Sequence, residues 1–292
     1  MVSTFFKWVI PGKLAQSPMP RLSDIQGLAR LFTGVVVLPE AREMHPYYLE
    51  TLENHGIEAL HIPTPDLHPV ELLDLLRASF FIERHVGEGG AVLVHCVGGL
   101  GRSGVVTAAY LVFKGLSYYE AVARVRSAVP GSIENPWQAR MVRTYEVLLK
   151  VLRDTGLLAE VAEGVGRVAA RVARHASKVL QLHIELHDPL HVDDPYMKQG
   201  VKRAVEGYFS KGDGVRVEGP GDELCLPEAL DHDYSGRVVT LQVDQVDKPL
   251  VTLLCRDNCS QIADRAAGCR DYVSRLLGGD PVFQWGYYLD YV

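Results

Sequence analysis

Ala91-Val92-Leu93-Val94-His95-Cys96-Val97-Gly98-Gly99-Leu100-Gly101-Arg102-Ser103-Gly104 is the most informative segment in the first half of this chain. Its apolar run at 91–94 reads as a buried strand, and the residues from about 103 onward read as a helix. Between them lies a glycine-rich loop. Three glycines let the backbone curl tightly and aim successive N–H groups at one centre. The helix that follows adds its positive N-terminal end. Arg102 supplies a planar two-pronged donor that fits two phosphate oxygens. Cys96 stands at the strand end of the loop, where the same positive field favours the nucleophilic thiolate. A cradle for a dianion and an activated nucleophile are therefore one feature.

Strands are expected at 5–10, 35–38, 59–62 and 91–95. Helices are expected at about 23–31, 46–54, 70–83, 103–113, 118–127 and 135–152, with Ser23 as a cap and a turn-rich segment from Pro11-Gly12 to Pro20. Strands interleaved with helices predict an α/β domain over residues 1–155, with a mostly parallel central sheet flanked by helices.

The pattern changes after 156. Leu158, Val161, Val165, Val168, Val172, Val179, Leu182 and Leu186 follow steps of three and four, with His175 the one non-apolar position. This predicts one long helix over 156–189, ending near Pro189. Its stripe either joins two copies as a homodimer through residues 158–186 or packs within its own chain, the commoner use of such a pattern. Residues 190–292 predict a small α+β domain. It has a helix from Asp194-Pro195 to about 209, a hairpin of 238–243 with 250–254 about Asp247-Lys248-Pro249, and a helix over 260–277. In the last segment Phe283, Trp285, Tyr287, Leu289 and Tyr291 share one strand face, read as core.

Of the 292 residues, 47% are hydrophobic and 23% charged, the balance of a soluble globular protein. The net charge of −6 argues against a nucleic-acid partner held by bulk positive charge. It is uneven: residues 1–153 hold 15 Lys/Arg against 14 Asp/Glu, a net +1, and residues 154–292 hold 15 against 22, a net −7. No apolar run reaches the ~18 residues of a membrane span, and no basic leader frames the apolar patch broken by Lys7. The odd, sparse set Cys96, Cys225, Cys255, Cys259 and Cys269 fits a reducing cytoplasm, with Cys255 and Cys259 unpaired rather than joined as a disulfide or metal clip. His183, His187 and His191 recur every four residues, a spacing that can share a metal. Pro189 ends the helix before His191, so the pair His183 and His187 reads as a solvated helix end. No metal or cofactor is expected.

His95-Cys96, five residues, then Arg102-Ser103 resembles the signature of the Cys-x5-Arg phosphatases, the superfamily of protein tyrosine and dual-specificity phosphatases. The early segment from Trp8 to Pro20 is similar to the opening loop of its small archaeal-type members. The resemblance covers residues 3–153; none is found for 157–292. It implies a cysteinyl-phosphate mechanism in which Cys96 attacks phosphorus, Arg102 and the loop 97–102 hold the phosphate, and Ser103 eases departure of the sulfur. His95 would support the loop. Asp66, 30 residues before Cys96, matches the general acid, with His68 and Asp74 as neighbouring alternatives. Gln138, in the segment from Pro130, matches the glutamine that places the hydrolytic water. Cys259 and Arg265 repeat the spacing without a glycine between them and read as helix.

The implied partner is a phosphorylated protein. Uncharged Val97, Gly98 and Leu100 disfavour a highly phosphorylated lipid head group, so phosphotyrosine is preferred, with phosphoserine and phosphothreonine as further substrates. The alternatives are an RNA 5′-triphosphatase-like enzyme, against which Asp66 and the net charge weigh, and a phosphopeptide-binding module with little turnover.

Overall fold

The computed structural model describes residues 5–187, 194–211, 215–216, 218–219, 221–245 and 248–292. Its contacts divide the chain into two compact units: residues 1–70 with 74–146, and residues 71–73 with 147–292. The dividing points at 73/74 and 146/147 fall inside helices.

In the first unit the order is β1 (Lys7–Ile10), β2 (Leu14–Ser17), α1 (Ile25–Leu28), β3 (Gly34–Val37), α2 (Tyr48–Asn54), β4 (Glu58–His61), α3 (Leu72–Gly87), β5 (Val92–His95), α4 (Gly101–Phe113), α5 (Tyr118–Ala128) and α6 (Pro136–Asp154). The sheet order is β1-β2-β5-β3-β4. β5 lies at its centre, parallel to both β2 and β3, and β3 is parallel to β4; only β1 runs antiparallel. The valines of β3 and β5 are fully buried, which is why these strands read as unbroken apolar runs rather than alternating ones. Each such side chain contributes roughly 1.5–3 kcal/mol. One face of the sheet packs Ala15, Val35, Val37 and Leu93 against Ile25, Leu28, Phe32, Tyr48 and Leu52.

The mostly parallel sheet is as expected. β2 is an addition. Its polar Gln16 and Ser17 hid it in sequence, yet both are buried, and β2 lies beside β5 with Ser17 opposite His95. The helix expected over 23–31 is only the single turn of α1, preceded by a 3-10 turn at Leu22–Asp24.

The second unit continues with α7 (Leu158–Arg167), α8 (Ala170–His187), α9 (Pro195–Val205), a π-helical turn (Glu206–Lys211), α10 (Cys225–Leu230), β6 (Val238–Gln245), β7 (Pro249–Cys255), α11 (Ser260–Ala266), α12 (Arg270–Leu277) and β8 (Val282–Tyr287). The single long helix expected over 156–189 is two. Val168 turns extended (φ −80°, ψ 155°) at the end of α7. Gly164 and Gly166 weaken that helix, and Gly164 is needed because a Cβ there would lie 2.7 Å from Phe209. Val161, Val165, Val179, Leu182 and Leu186 are buried within the chain, so these positions of the stripe form no exposed seam for a second copy.

From His175 to His187 every residue of α8 is buried. His183 and His187 are therefore not a solvated helix end. His187 Nδ1 meets Asp194 Oδ2 at 2.5 Å and its Nε2 meets the Tyr272 hydroxyl at 3.0 Å, so both ring nitrogens are engaged. His183 Nε2 donates to the Met197 carbonyl at 3.1 Å, and burial pushes its basicity down to about 3. His191 lies outside the described residues, among which no group of three His, Cys, Asp or Glu could hold a metal.

The expected unpaired cysteines are also corrected. Cys255 is bonded to Cys259 and Cys225 to Cys269, all four in the core of the second unit with Leu226, Leu253 and Val273; Cys96 alone is free. Asp194 caps α9 from Pro195, as expected. β6 and β7 form the antiparallel hairpin, Asp247 of its turn lying outside the described residues, and β8 adds to β7 in parallel. The alternating aromatic face holds only for Phe283 and Trp285, which pack on the core. The chain then turns into a 3-10 segment that buries Tyr288 and exposes Tyr287, Leu289 and Tyr291. Among the described residues no helix is long and apolar enough to cross a membrane.

His175 sits between Asp231 Oδ2 (2.8 Å) and Glu228 Oε2 (3.3 Å), with Tyr234 stacked on its ring. Burial works against its charge, but the two carboxylates outweigh burial and lift it to about 9. The charged form is thus favoured by folding. Its contribution is complete below the unfolded value of about 6.5 and is lost as pH rises through 9. Thermal unfolding followed from pH 6 to pH 9.5 should lose on the order of 1–3 kcal/mol, and His175→Gln should flatten that slope.

Candidate active site

β5 delivers His95 and Cys96 to the C-terminal edge of the sheet, and α4 begins five residues later at Gly101. The loop between them is held by its carbonyls. Cys96 O lies 3.2 Å from His95 Nδ1, and Val97 O accepts from Met19 N at 3.1 Å. Gly99 O accepts from Gln16 Nε2 at 2.8 Å, and Leu100 O from Ile133 N and Gly104 N. In a trans peptide the following N–H points opposite to the carbonyl. Tying these carbonyls outward turns the N–H groups of Val97, Gly98, Leu100 and Gly101 to the other side, toward the loop centre. No side chain caps α4, so its first N–H groups remain for a ligand.

Cys96 is buried; its Sγ accepts from Gly99 N at 3.1 Å and lies 3.4 Å from Ser103 Oγ. His95 is fully buried beneath the loop. Burial pushes it down to about 4, so the ring is neutral; Nδ1 donates to Cys96 O, and Nε2 accepts from the Tyr48 hydroxyl at 3.0 Å.

Arg102 is 2% exposed. Glu43 grips it with two oxygens, Nη1 to Oε2 at 2.8 Å and Nη2 to Oε1 at 3.1 Å, while Nη1 also donates to Thr64 O at 2.8 Å. This hydrogen bonding holds the Glu43 carboxyl below the usual carboxylate range. The remaining Nε is buried and without a partner. The Nε–Nη2 edge is therefore the one presented to an oxyanion, and Asp66 Oδ1 stands at its Nη2 corner, 3.1 Å away. Asp66 is otherwise exposed on the loop after β4, a setting that suits a group which must reach a substrate.

Gln138, in the first turn of α6, is fully buried. Its Oε1 accepts from Glu134 N at 2.9 Å, and its Nε2 has no partner. Its amide and the Glu134 carboxylate press on Gly101, where a Cβ would lie within 3.0 Å of both. Asn135 ties this segment to the Asp66 loop, Nδ2 donating to Leu67 O at 2.8 Å.

The structure thus gathers Cys96, Arg102, Asp66, Ser103, Gln138 and His95 around one loop. His68 supports the Asp66 loop through Asp66 O at 2.9 Å, and Asp74 pairs with Arg77. Cys259 is tied in a disulfide, which removes the second Cys-x5-Arg spacing from consideration. Sequence reasoning missed Gln16, Glu43, Tyr48 and Asn135. Of these only Gln16 left a signal, a polar residue beside an apolar pair after the Pro11-Gly12 turn.

The model of the Swiss Army Knife DSP-PTPase phosphatase domain matches residues 3–143. Over those residues the chain belongs to the tyrosine and dual-specificity phosphatase superfamily. Tk-PTP, whose structure in its active form is solved, is 41% identical, with a TM-score of 0.47, covering 49% of this chain and 97% of that one. Bovine (Bos taurus) protein tyrosine phosphatase domain-containing protein 1 is 24% identical over 75% of this chain and 29% of its own length. The CDC14 homolog of Schizosaccharomyces pombe is 34% identical over 32% of this chain and 17% of its own. The chain spans less than a third of either of these curated relatives.

Two adjacent glycines of the phosphatase loop differ in what they tolerate. Gly99 has φ +76°, and a Cβ there would lie 2.3 Å from Pro18 N and 2.5 Å from Ser17 C. Gly98 has open space within 4 Å and no positive φ. Gly99→Ala should cost at least about 1–2 kcal/mol of stability and weaken vanadate binding. Gly98→Ala should leave the melting temperature near that of the parent. Calorimetry on both variants checks the contrast.

Proposed function

We propose that the protein hydrolyses phosphotyrosine in proteins, with phosphoserine and phosphothreonine as further substrates, through a cysteinyl-phosphate intermediate. The observation that carries this reading is the uncommitted Nε of Arg102 beside an Nη2 that stands 3.1 Å from Asp66 Oδ1. It puts a phosphate clamp and a carboxyl group within one cradle.

In the first step Cys96 Sγ forms a bond to phosphorus as the P–O bond to the leaving group breaks. The leaving oxygen takes the proton of Asp66. Arg102 and the inward N–H groups hold the equatorial oxygens, the charge work that a metal performs in other phosphoryl-transfer enzymes. In the second step Asp66 takes a proton from a water, whose oxygen attacks phosphorus, and the P–S bond breaks to return the Cys96 thiolate. Ser103 Oγ, 3.4 Å from Sγ, donates to the departing sulfur. Gln138, with Nε2 uncommitted, places the water. Val97 is 40% exposed on the loop, an apolar edge against which an aryl ring can rest. The names of the relatives, a tyrosine phosphatase among them, support the same substrate class. A working thiol at Cys96 calls for a reducing compartment such as the cytoplasm; burial of the two disulfides in the second unit shields them there.

Cys96→Ser should abolish turnover of an aryl phosphate while retaining oxyanion binding, and Arg102→Lys should lose both, because a point charge cannot replace the fork. Turnover by the serine variant near the parental rate, or oxyanion binding with no turnover by the parent, would remove the enzymatic reading. Asp66→Asn should slow hydrolysis of an unactivated aryl phosphate by roughly two orders of magnitude. It should also erase the basic limb of the pH–rate curve, which measures loss of the acid's proton.

A further inference from the structure

The loop that carries Asp66 is held at both ends by different means. Before Asp66, Thr64 N donates to Leu38 O at 2.9 Å, and across the loop Asn135 Nδ2 holds Leu67 O. After it the chain passes through the buried Pro69 and Val70 into residues 71–73, which group with the second unit. There Leu73 N donates to Ser177 Oγ at 3.1 Å. The Glu71 carboxylate lies 3.4 Å from Lys178 Nζ and 3.8 Å from Arg256 Nη2. Lys178 is itself fixed. It is buried on α8 and donates to Gln181 Oε1 at 2.7 Å and Val239 O at 3.2 Å.

The short link between Asp66 and Glu71 is stiff. Pro65 fixes the backbone just before it and Pro69 fixes it within. Leu67 adopts a left-handed conformation at φ 61°. A leucine is rarely found there, and such a residue persists only where its surroundings over-determine it. Release of the Glu71 end would let Leu67 return to ordinary backbone geometry and carry Asp66 with it.

We infer that Glu71, held by Lys178 and Arg256, is a positioning residue for Asp66 and so for proton delivery to the leaving oxygen. The inference rests on the phosphatase reading above. It predicts a loss confined to reactions that need the acid. Two esters separate the cases in the full chain: 2,4-dinitrophenyl phosphate, whose phenolate leaves without a proton, and phenyl phosphate, whose phenolate does not.

Glu71→Gln should lower kcat on phenyl phosphate by about three- to tenfold, a fraction of the full effect of an acid catalyst, and leave kcat on the dinitrophenyl ester within about twofold. Arg256→Gln, at an exposed site, should show the same pattern more weakly. In an Asp66→Asn background Glu71→Gln should add no further loss on phenyl phosphate, since the acid is already gone. Equal losses on both esters, no loss on either, or full additivity with Asp66→Asn would overturn the positioning role while leaving the phosphatase reading intact. A parent protein that hydrolyses neither ester overturns both.

Discussion

The first unit is organised by one requirement: the backbone from Cys96 to Gly101 must turn its N–H groups inward, so its carbonyls must be satisfied outward. Each tether comes from a different element. β2 supplies Gln16 and the chain after it Met19 N; β5 supplies His95; the segment before α6 supplies Ile133 N. The sheet order serves the same need, with β2 directly beside the central β5 so that Gln16 reaches the loop. An unsatisfied buried carbonyl costs roughly 1–3 kcal/mol, so loss of any one tether acts on the whole cradle. Gly99 is the point of least freedom, because the backbone of Ser17 and Pro18 fills the space where a side chain would go.

How much of this was legible in the sequence depended on whether a residue's role is local. Cys96, the glycines and Arg102 lie within seven residues, and their chemistry dictates their spacing. Asp66 and Gln138 became legible through the family resemblance, and the structure brings both to the loop. Glu43, Tyr48 and Asn135 act across 59, 47 and 68 residues of chain. No local pattern marks a carboxylate that will grip a guanidinium so far away. β2 was hidden for a related reason: a strand that uses a polar side chain to serve a loop does not look apolar.

In the second half the apolar steps of three and four were real but incomplete as a guide. They recorded one face of α8 and missed that the opposite face is buried as well. Polar residues at 178, 181 and 185 resemble a solvated face in sequence. In the structure Lys178, Gln181 and Glu185 satisfy one another and the edge of β6, Glu185 accepting from Thr240 Oγ1 and Leu241 N. The break at Val168 was signalled only by two glycines, and the neighbour that requires one of them, Phe209 against Gly164, lies on a different helical segment. At the C-terminus strict alternation ended with the strand, and the core took Tyr288 out of phase.

A core built around a charged helix responds to heat differently from one built of hydrocarbon alone. Stripping water from Lys178, Glu185 and the His175–Asp231 pair carries a large cost at ordinary temperature. That cost falls on warming, because ionic hydration is entropically unfavourable, while the gain per unit of buried apolar surface levels off. The polar interior of α8 thus contributes least to the balance in the cold and progressively more as the temperature climbs.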